Sequence, residues 1–254
     1  MLSFRPNNFL RLCLCLLIIM ALPLPATSDW RVIPIRLDFD QKTRSGVVTL
    51  SNDSEEAISF TVDASEWSQD NTGQDSYAPT KDLVFFPKAI TVPAKQERVV
   101  RTGIKVPAIS QEKTYRLFIK ETAAPRKTEG TAVGIAIQFG VPIFAKPVNE
   151  DVKGEITSTI SENGQQAEIT VANGGNVHFR ISTITLSGKD VAGHEIMSQE
   201  LNGWYLLAGS ARTYFAPIPA ESCPQLKTID IQVNAGRLTL NGKIDVDPAM
   251  CSAQ

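Results

Sequence analysis

Short β-type segments separated by turn residues run through almost the whole chain, and this pattern restricts the fold more than any other feature. Roughly seven such segments, at intervals near ten residues, lie between 31 and 121, and about eight more lie between 156 and 246. No stretch combines helical spacing of apolar residues with caps. The pattern predicts an all-β chain of immunoglobulin-like sandwiches, with turns at 51–54, 69–73, 163–164, 173–176 and 241–242.

The first 28 residues are typical of a secretory signal peptide. Arg5 and Arg11 precede an apolar run that is short for a bilayer span, and Ala26-Thr27-Ser28 supplies small residues before the expected cleavage site. We expect cleavage before Asp29 and export to an oxidising compartment. An uncleaved membrane anchor is the alternative.

Cysteine use fits an exported protein. The chain has 4 cysteines, and Cys13 and Cys15 would leave with the signal peptide. The remaining pair, Cys223 and Cys251, is expected to form a disulfide that ties down the end of the chain. Two free buried thiols are the alternative.

Composition argues against several classes of function. The formal charge is −2, or about −4 without Arg5 and Arg11, and no basic run marks a nucleic-acid binder. No second apolar segment is long enough for the mature chain to enter a membrane. The two histidines, His178 and His194, are isolated and are interpreted as surface residues, and no catalytic or phosphate-binding motif occurs. We therefore expect no enzyme activity, no cofactor and no bound metal.

The segment 133–147 is the most apolar of the predicted strands. Val133, Ile135, Ile137 and Phe139 alternate with smaller residues, so one face of a strand would carry a row of large apolar groups. Pro142 cannot donate a ladder hydrogen bond and indicates a sheet edge. A long apolar edge strand invites pairing with another chain, so this strand is a candidate binding element.

Three arginines embedded in β-type segments, Arg36, Arg101 and Arg116, are candidate ligands for a partner's carboxylate. The alternative for each is an ordinary solvent-facing cation on a strand.

Several pieces of the first half, in this order and at this spacing, resemble the periplasmic chaperones of the chaperone–usher family. They are 34–37, 48–52, 86–87, 90–94, 99–101, 115–121, 134–138 and 144–147. The Tyr-Arg-Leu-Phe stretch and the Pro-Ile-Phe-Ala-Lys-Pro ending are most similar to the archaic, spore-coat-type branch.

The resemblance implies a fold and a function. It implies two immunoglobulin-like β-sandwich domains at an angle with a cleft between them, at 29–147 and 148–254. Such a chaperone binds fimbrial subunits in the periplasm by lending them its own strand, here Val133, Ile135, Ile137 and Phe139, and delivers them to an outer-membrane usher. The exposed row also makes self-association of the free protein an expectation.

The resemblance also implies two cations that hold the subunit's C-terminal carboxylate. Arg36 matches the arginine, but Pro142 stands where the family has a lysine. We therefore expect Arg101 or Arg116 to replace it.

Two other classes of function remain open at this point. A pilus subunit or tip adhesin would need an N-terminal donor extension. A carbohydrate-binding module or enzyme could also be built on such a scaffold.

Overall fold

The computed structural model describes residues 29–122, 136–161 and 164–251. The predicted signal peptide, with the donor-strand residues Val133 and Ile135, lies outside these ranges. Among the described residues, no helix is both long and apolar enough to cross a membrane.

The first group of strands forms a two-sheet sandwich, which we call domain 1. Its strands are β1 (Trp30–Ile33), β2 (Leu37–Phe39), β3 (Ser45–Asn52), β4 (Ile58–Gln69), β5 (Asp75–Pro79), β6 (Leu83–Phe86), β7 (Ala89–Val92), β8 (Glu97–Ile104), β9 (Lys113–Thr122) and β10 (Gln138–Ala145). One sheet has the order β1-β3-β8-β6. The other has the order β2-β10-β9-β4-β5, and β7 also pairs with β4.

The second group forms domain 2. Its strands are β11 (Gly154–Ile160), β12 (Gln166–Asn173), β13 (Phe179–Arg180), β14 (Thr183–Lys189), β15 (Glu195–Asn202), β16 (Tyr205–Leu206), β17 (Ala211–Pro217), β18 (Thr228–Ala235) and β19 (Leu238–Asp245). They are arranged as β11-β12-β17, β13-β16 and β15-β14-β18-β19.

Each domain encloses its own apolar core, as period-2 alternation requires when one face of each strand is buried. In domain 1 the fully enclosed side chains include Val48, Leu50, Phe60, Val62, Leu117 and Ile119. In domain 2 they include Ile169, Val171, Ile184, Leu186, Ile229 and Val233. The all-β prediction is confirmed.

A disulfide joins Cys223 to Cys251, as predicted. It links two short 3-10 helices, Cys223–Gln225 and Pro248–Cys251, which flank β18 and β19. The bond therefore holds the end of the described chain against the core of domain 2.

One turn prediction was wrong. Asn241 and Gly242 lie inside β19, where they pair with Gln232 and Ile231. The chain reverses instead at Gly236, whose φ of +62° suits a residue without Cβ. An Asn-Gly pair favours a turn locally, but here the ladder to β18 determines the outcome.

Candidate functional site: an open strand edge and the domain junction

β10 is an open edge over part of its length. It pairs with β9 from Gln138 to Ala145, but β2 covers its other side only from Ile143 to Ala145. From Gln138 to Pro142, no strand in the described part of the chain pairs with that side. Among the described residues, this part of the β10 edge therefore has no strand beside it.

The main-chain groups on the open side can be assigned from the ladder. The N–H of Glu121 donates to the carbonyl of Ile137 at 2.9 Å. Hydrogen-bonded pairs recur at every second residue of an antiparallel ladder, so Phe139 and Val141 bond to β9. The main-chain groups of Gln138 and Gly140 therefore point to the open side, whereas the carbonyl of Pro142 faces the N–H of Leu37 in β2.

The apolar row of β10 becomes more exposed toward the start of the strand. Ile143 and Val141 are fully buried in domain 1, Phe139 is partly buried, and Ile137 is 50% exposed. The same row therefore packs into this protein's core at one end and is available to a partner at the other.

Two of the three predicted arginines flank the residue where the edge closes. Arg116 of β9 lies directly opposite Pro142. Arg36 directly precedes Leu37, the first residue of β2 to pair with β10, at Ile143. Arg101 lies on the other sheet of domain 1, opposite Val47 and Phe86, and is exposed. The structure brings Arg36 and Arg116 to one place and leaves Arg101 elsewhere.

Arg116 is a buried cation with free donor atoms. Only 7% of the residue is exposed, its guanidinium carbon lies 4.0 Å from the ring centroid of Trp67, and Nη1 donates to the Gly140 carbonyl at 3.0 Å. Nε and Nη2 have no hydrogen-bond partner among the described residues. Buried donors without a partner are costly, so these two nitrogens are unsatisfied groups of this part of the sheet.

Gly140 makes this arrangement possible. A Cβ atom there would lie 3.1 Å from a ring carbon of Phe118 and 3.7 Å from Cδ of Arg116. Any larger side chain would compete with Phe118 and Arg116 for the same face of the sheet.

A cleft of about 340 Å³ lies between the two domains, next to Arg36. Arg36 is ion-paired with Asp38 at 2.9 Å, and its guanidinium carbon lies 5.8 Å from the Phe144 ring. The charged residues that line the cleft are Arg36, Asp38, Glu112, Lys146, Glu150, Arg180 and Arg237, and His178 also lines it.

Glu150 is already neutralised within this cleft. Arg237 donates to it at 2.8 Å, and Lys146 lies 3.0 Å away. Those contacts, with the Arg237 hydrogen bond the largest cause, hold the pKa of the Glu150 carboxyl below its ordinary value.

An aromatic cluster fills the domain junction beside the cleft. The Phe144 ring lies 5.9 Å from Trp67 in domain 1 and 5.5 Å from Tyr205 in domain 2, measured between centroids. His178 stacks on Phe144 at 3.5 Å with an interplanar angle of 13°. Trp204 lies against Tyr205 at 5.6 Å.

The interpretation of His178 as a surface residue was wrong. Its side chain is 10% exposed, and its Nδ1 lies 2.7 Å from Oε2 of Glu112, whose side chain is 1% exposed. The same oxygen accepts the backbone N–H of His178 at 2.8 Å. His194 is exposed, as expected. Nothing in the local sequence pairs His178 with Glu112, because they are 66 residues apart and belong to different domains.

A hairpin of domain 1 also contacts domain 2. Gln69 donates to the carbonyl of Tyr205 at 2.9 Å and accepts the N–H of Leu207 at 2.9 Å. At the tip, Nη2 of Arg212 donates to the carbonyl of Gly73 at 2.5 Å. The junction is thus held by the aromatic cluster, the Glu112–His178 pair and this hairpin.

The first domain matches a known protein family in sequence. Residues 31–150 match the family described as pili and flagellar-assembly chaperone, PapD N-terminal domain. Domain 1 is therefore a domain of this family. The predicted family is confirmed. At the level of sequence, no curated protein matches the chain.

Solved structures of PapD-like chaperones confirm the two-domain fold. A chain of the CsuC–CsuE chaperone–tip adhesion subunit pre-assembly complex, from the archaic Csu pili of Acinetobacter baumannii, matches with a TM-score of 0.58 at 18% identity, covering 86% of this chain and 98% of that one. The YadV chaperone matches with 0.58 at 12%, covering 86% and 100%. The Salmonella enterica SafA–SafB pilin–chaperone complex matches with 0.53 at 13%, covering 87% and 99%.

Proposed function

We propose that this protein is a periplasmic chaperone that completes the unfinished sandwich of a fimbrial subunit with its own strand and passes the subunit to an outer-membrane usher. The observation that carries the proposal is the open edge of β10 from Gln138 to Pro142, with its half-exposed apolar row. Strand addition uses such an edge, with main-chain bonds for affinity and alternate side chains for pockets.

The comparisons support a client of this class. The A. baumannii complex is named for a chaperone bound to a tip adhesion subunit, and the Salmonella complex for a chaperone bound to a pilin. The first of these comes from archaic pili, in line with the branch expected from the sequence.

The geometry also supports a fixed end point for the guest strand. β2 occupies the edge of β10 from Ile143 onward, so a guest strand cannot continue beside it. The guest therefore stops next to Pro142, between Arg36 and Arg116. Two guanidinium groups favour a carboxylate over an amine at this point, so the guest ends there with its C-terminus and runs parallel to β10.

In this proposal Arg36 and Arg116 form the two-cation anchor. Pro142 leaves the edge without an N–H, and Nε and Nη2 of Arg116 supply donors beside it. Arg101 faces solvent from the other sheet and takes no part.

Changing Ile137 to glutamate tests the strand. The substitution places a charge in the row that would fill the subunit's groove, where burial of one isoleucine contributes roughly 1.5–3 kcal/mol. We expect co-purification of a co-expressed pilin subunit with Ile137→Glu to fall at least about tenfold. Val99→Glu is the control, because Val99 is 40% exposed on β8, in the other sheet of the same domain. Undiminished capture by the Ile135→Glu, Ile137→Glu double variant would rule out lending of this strand.

Changing single arginines tests the anchor. Arg36→Ala is expected to weaken capture of the same subunit by about tenfold, because a charged hydrogen bond contributes roughly 1.5–3 kcal/mol. Arg101→Ala is the matched comparison and is expected to leave capture unchanged. The opposite order of effects would place the anchor at Arg101, on the β1-β3-β8-β6 sheet.

A further inference from the structure

A third guanidinium group lies at the domain junction, and it comes from domain 2. The guanidinium carbon of Arg180 is 5.8 Å from the ring centroid of Tyr205, which is the same distance that separates Arg36 from Phe144. Phe144 and Tyr205 are neighbours in the aromatic cluster. Arg36 of domain 1 therefore lies against the Phe144 ring, and Arg180 of domain 2 lies against the neighbouring Tyr205 ring.

Both arginines line the same cleft, which can hold the last one or two residues of a peptide. The guest strand of the proposed function ends at Arg36, at the mouth of this cleft. Its terminal carboxylate would thus face a wall of domain 2 that contains Arg180.

Arg180 differs from the other cations of the cleft in having no acidic partner. Arg36 is paired with Asp38, and Lys146 and Arg237 are paired with Glu150. Within the described ranges no carboxylate forms an ion pair with Arg180, and the residue is exposed. Its five donors are free to bind an anion, and the Tyr205 ring limits where the guanidinium can lie.

We propose that Arg180 completes the carboxylate site, so that a guest chain's C-terminal carboxylate is held by both domains at once. This inference rests on the proposed function and adds domain 2 to it. An arginine suits the role, because its planar fork can bind a carboxylate with two parallel hydrogen bonds while Arg36 contacts it from the other side.

One consequence is that a guest without a free C-terminus loses contact with domain 2. It would keep the main-chain bonds along Gln138–Pro142 and the apolar row. The inference therefore separates the contribution of the strand from that of the carboxylate.

The test uses three eight-residue peptides of alternating valine and threonine and measures binding by calorimetry. One peptide has a free C-terminal carboxylate, the second is its amide, and the third is an amide that ends in aspartate. The full-length mature protein is compared with Arg180→Gln and Arg237→Gln. Arg237 lines the same cleft but is already bound to Glu150, so it controls for a general loss of positive charge.

We expect the unmodified protein to bind the free carboxylate about tenfold more tightly than either amide. Arg180→Gln should reduce this preference to about twofold, and Arg237→Gln should preserve it. Circular dichroism checks that each variant is folded.

Retention of the tenfold preference by Arg180→Gln would overturn the inference, as would an equal loss in Arg237→Gln. An Arg180-dependent gain with the aspartate peptide would place a side-chain carboxylate in the site and overturn the terminal assignment. Equal binding of all three peptides by the unmodified protein would also overturn it while leaving strand addition intact. Binding of none of them would count against the proposed function itself.

Discussion

At the scale of single residues, Arg116 is the least satisfied group of the site. It lies on Trp67 with two donor atoms unpartnered among the described residues. Natural proteins retain such costly groups where binding needs them, at the expense of stability. In the proposed function, Arg116 would therefore link the stability of the free protein to its capacity to hold a guest.

Replacing Arg116 by methionine separates these two effects. Methionine fills similar space against Trp67 and leaves no buried donor without a partner, so we expect the free energy of unfolding in urea not to fall. Capture of a pilin subunit should fall at least about tenfold. Arg116→Lys keeps the positive charge but cannot form two parallel hydrogen bonds to a carboxylate, so it should capture less subunit than the unmodified protein and more than Arg116→Met.

A loss of more than about 2 kcal/mol in Arg116→Met would contradict this account. It would mean that the guanidinium mainly supports the fold of domain 1.

At the scale of elements, the hairpin of β4 and β5 positions one domain against the other. Its turn contains Gly73 with φ of +77°, and a Cβ there would lie 2.8 Å from Cβ of Arg212. The turn therefore needs a glycine for two separate reasons, the backbone conformation and the close approach of domain 2.

Alanine substitutions at two glycines separate the cost of the backbone conformation from the cost of the close contact with domain 2. Gly193 has φ of +85° and nothing within 4 Å of its Cβ position, so Gly193→Ala should cost only the backbone term, about 1 kcal/mol. Gly73→Ala should cost more, because the turn must also move away from Arg212. Urea unfolding measures both, and equal costs would show that the hairpin tip does not hold the junction.

Elements whose side chains alternate locally could be predicted from the sequence. The strands around Val48, Val62 and Ile119 carry their own period-2 signal, because one face of each is buried within its own domain. The Cys223–Cys251 disulfide was predictable for another reason. The expected export to an oxidising compartment favours a bond between the two cysteines that remain.

What depends on contacts between distant segments could not be predicted. His178 and Glu112 carry no local pattern, and their pairing exists only once both domains are in place. The aromatic residues at the junction were missed for the same reason. Trp67 and Tyr205 lie on ordinary strands, and only the fold brings their rings within 5.6 Å.

At the scale of the whole molecule, two domains with separate apolar cores meet at a polar and aromatic junction. Of the two, domain 2 is the one with a disulfide. The disulfide spans a sequence separation of 28 residues within domain 2. Among the described residues, domain 1 contains no cysteine.

Removing the disulfide should therefore weaken the domains unequally. For the Cys223→Ser, Cys251→Ser double variant, we expect domain 2 to lose about 3 kcal/mol, since a loop of this length restricts the unfolded chain by that order. Hydrogen exchange should show reduced protection at Val233 and little change at Val62. An equal drop at both residues would show that the junction makes the two domains unfold as one unit.

The short strand β2 has a consequence for any client. Because β2 covers β10 only from Ile143 onward, it would fix the position at which a guest strand has to end. In the proposed function, a subunit whose last residue lies beside Pro142 would bind best, and one extended by a C-terminal affinity tag would bind more weakly because β2 blocks the extra residues. Binding would in this way favour subunits that end at their natural C-terminus.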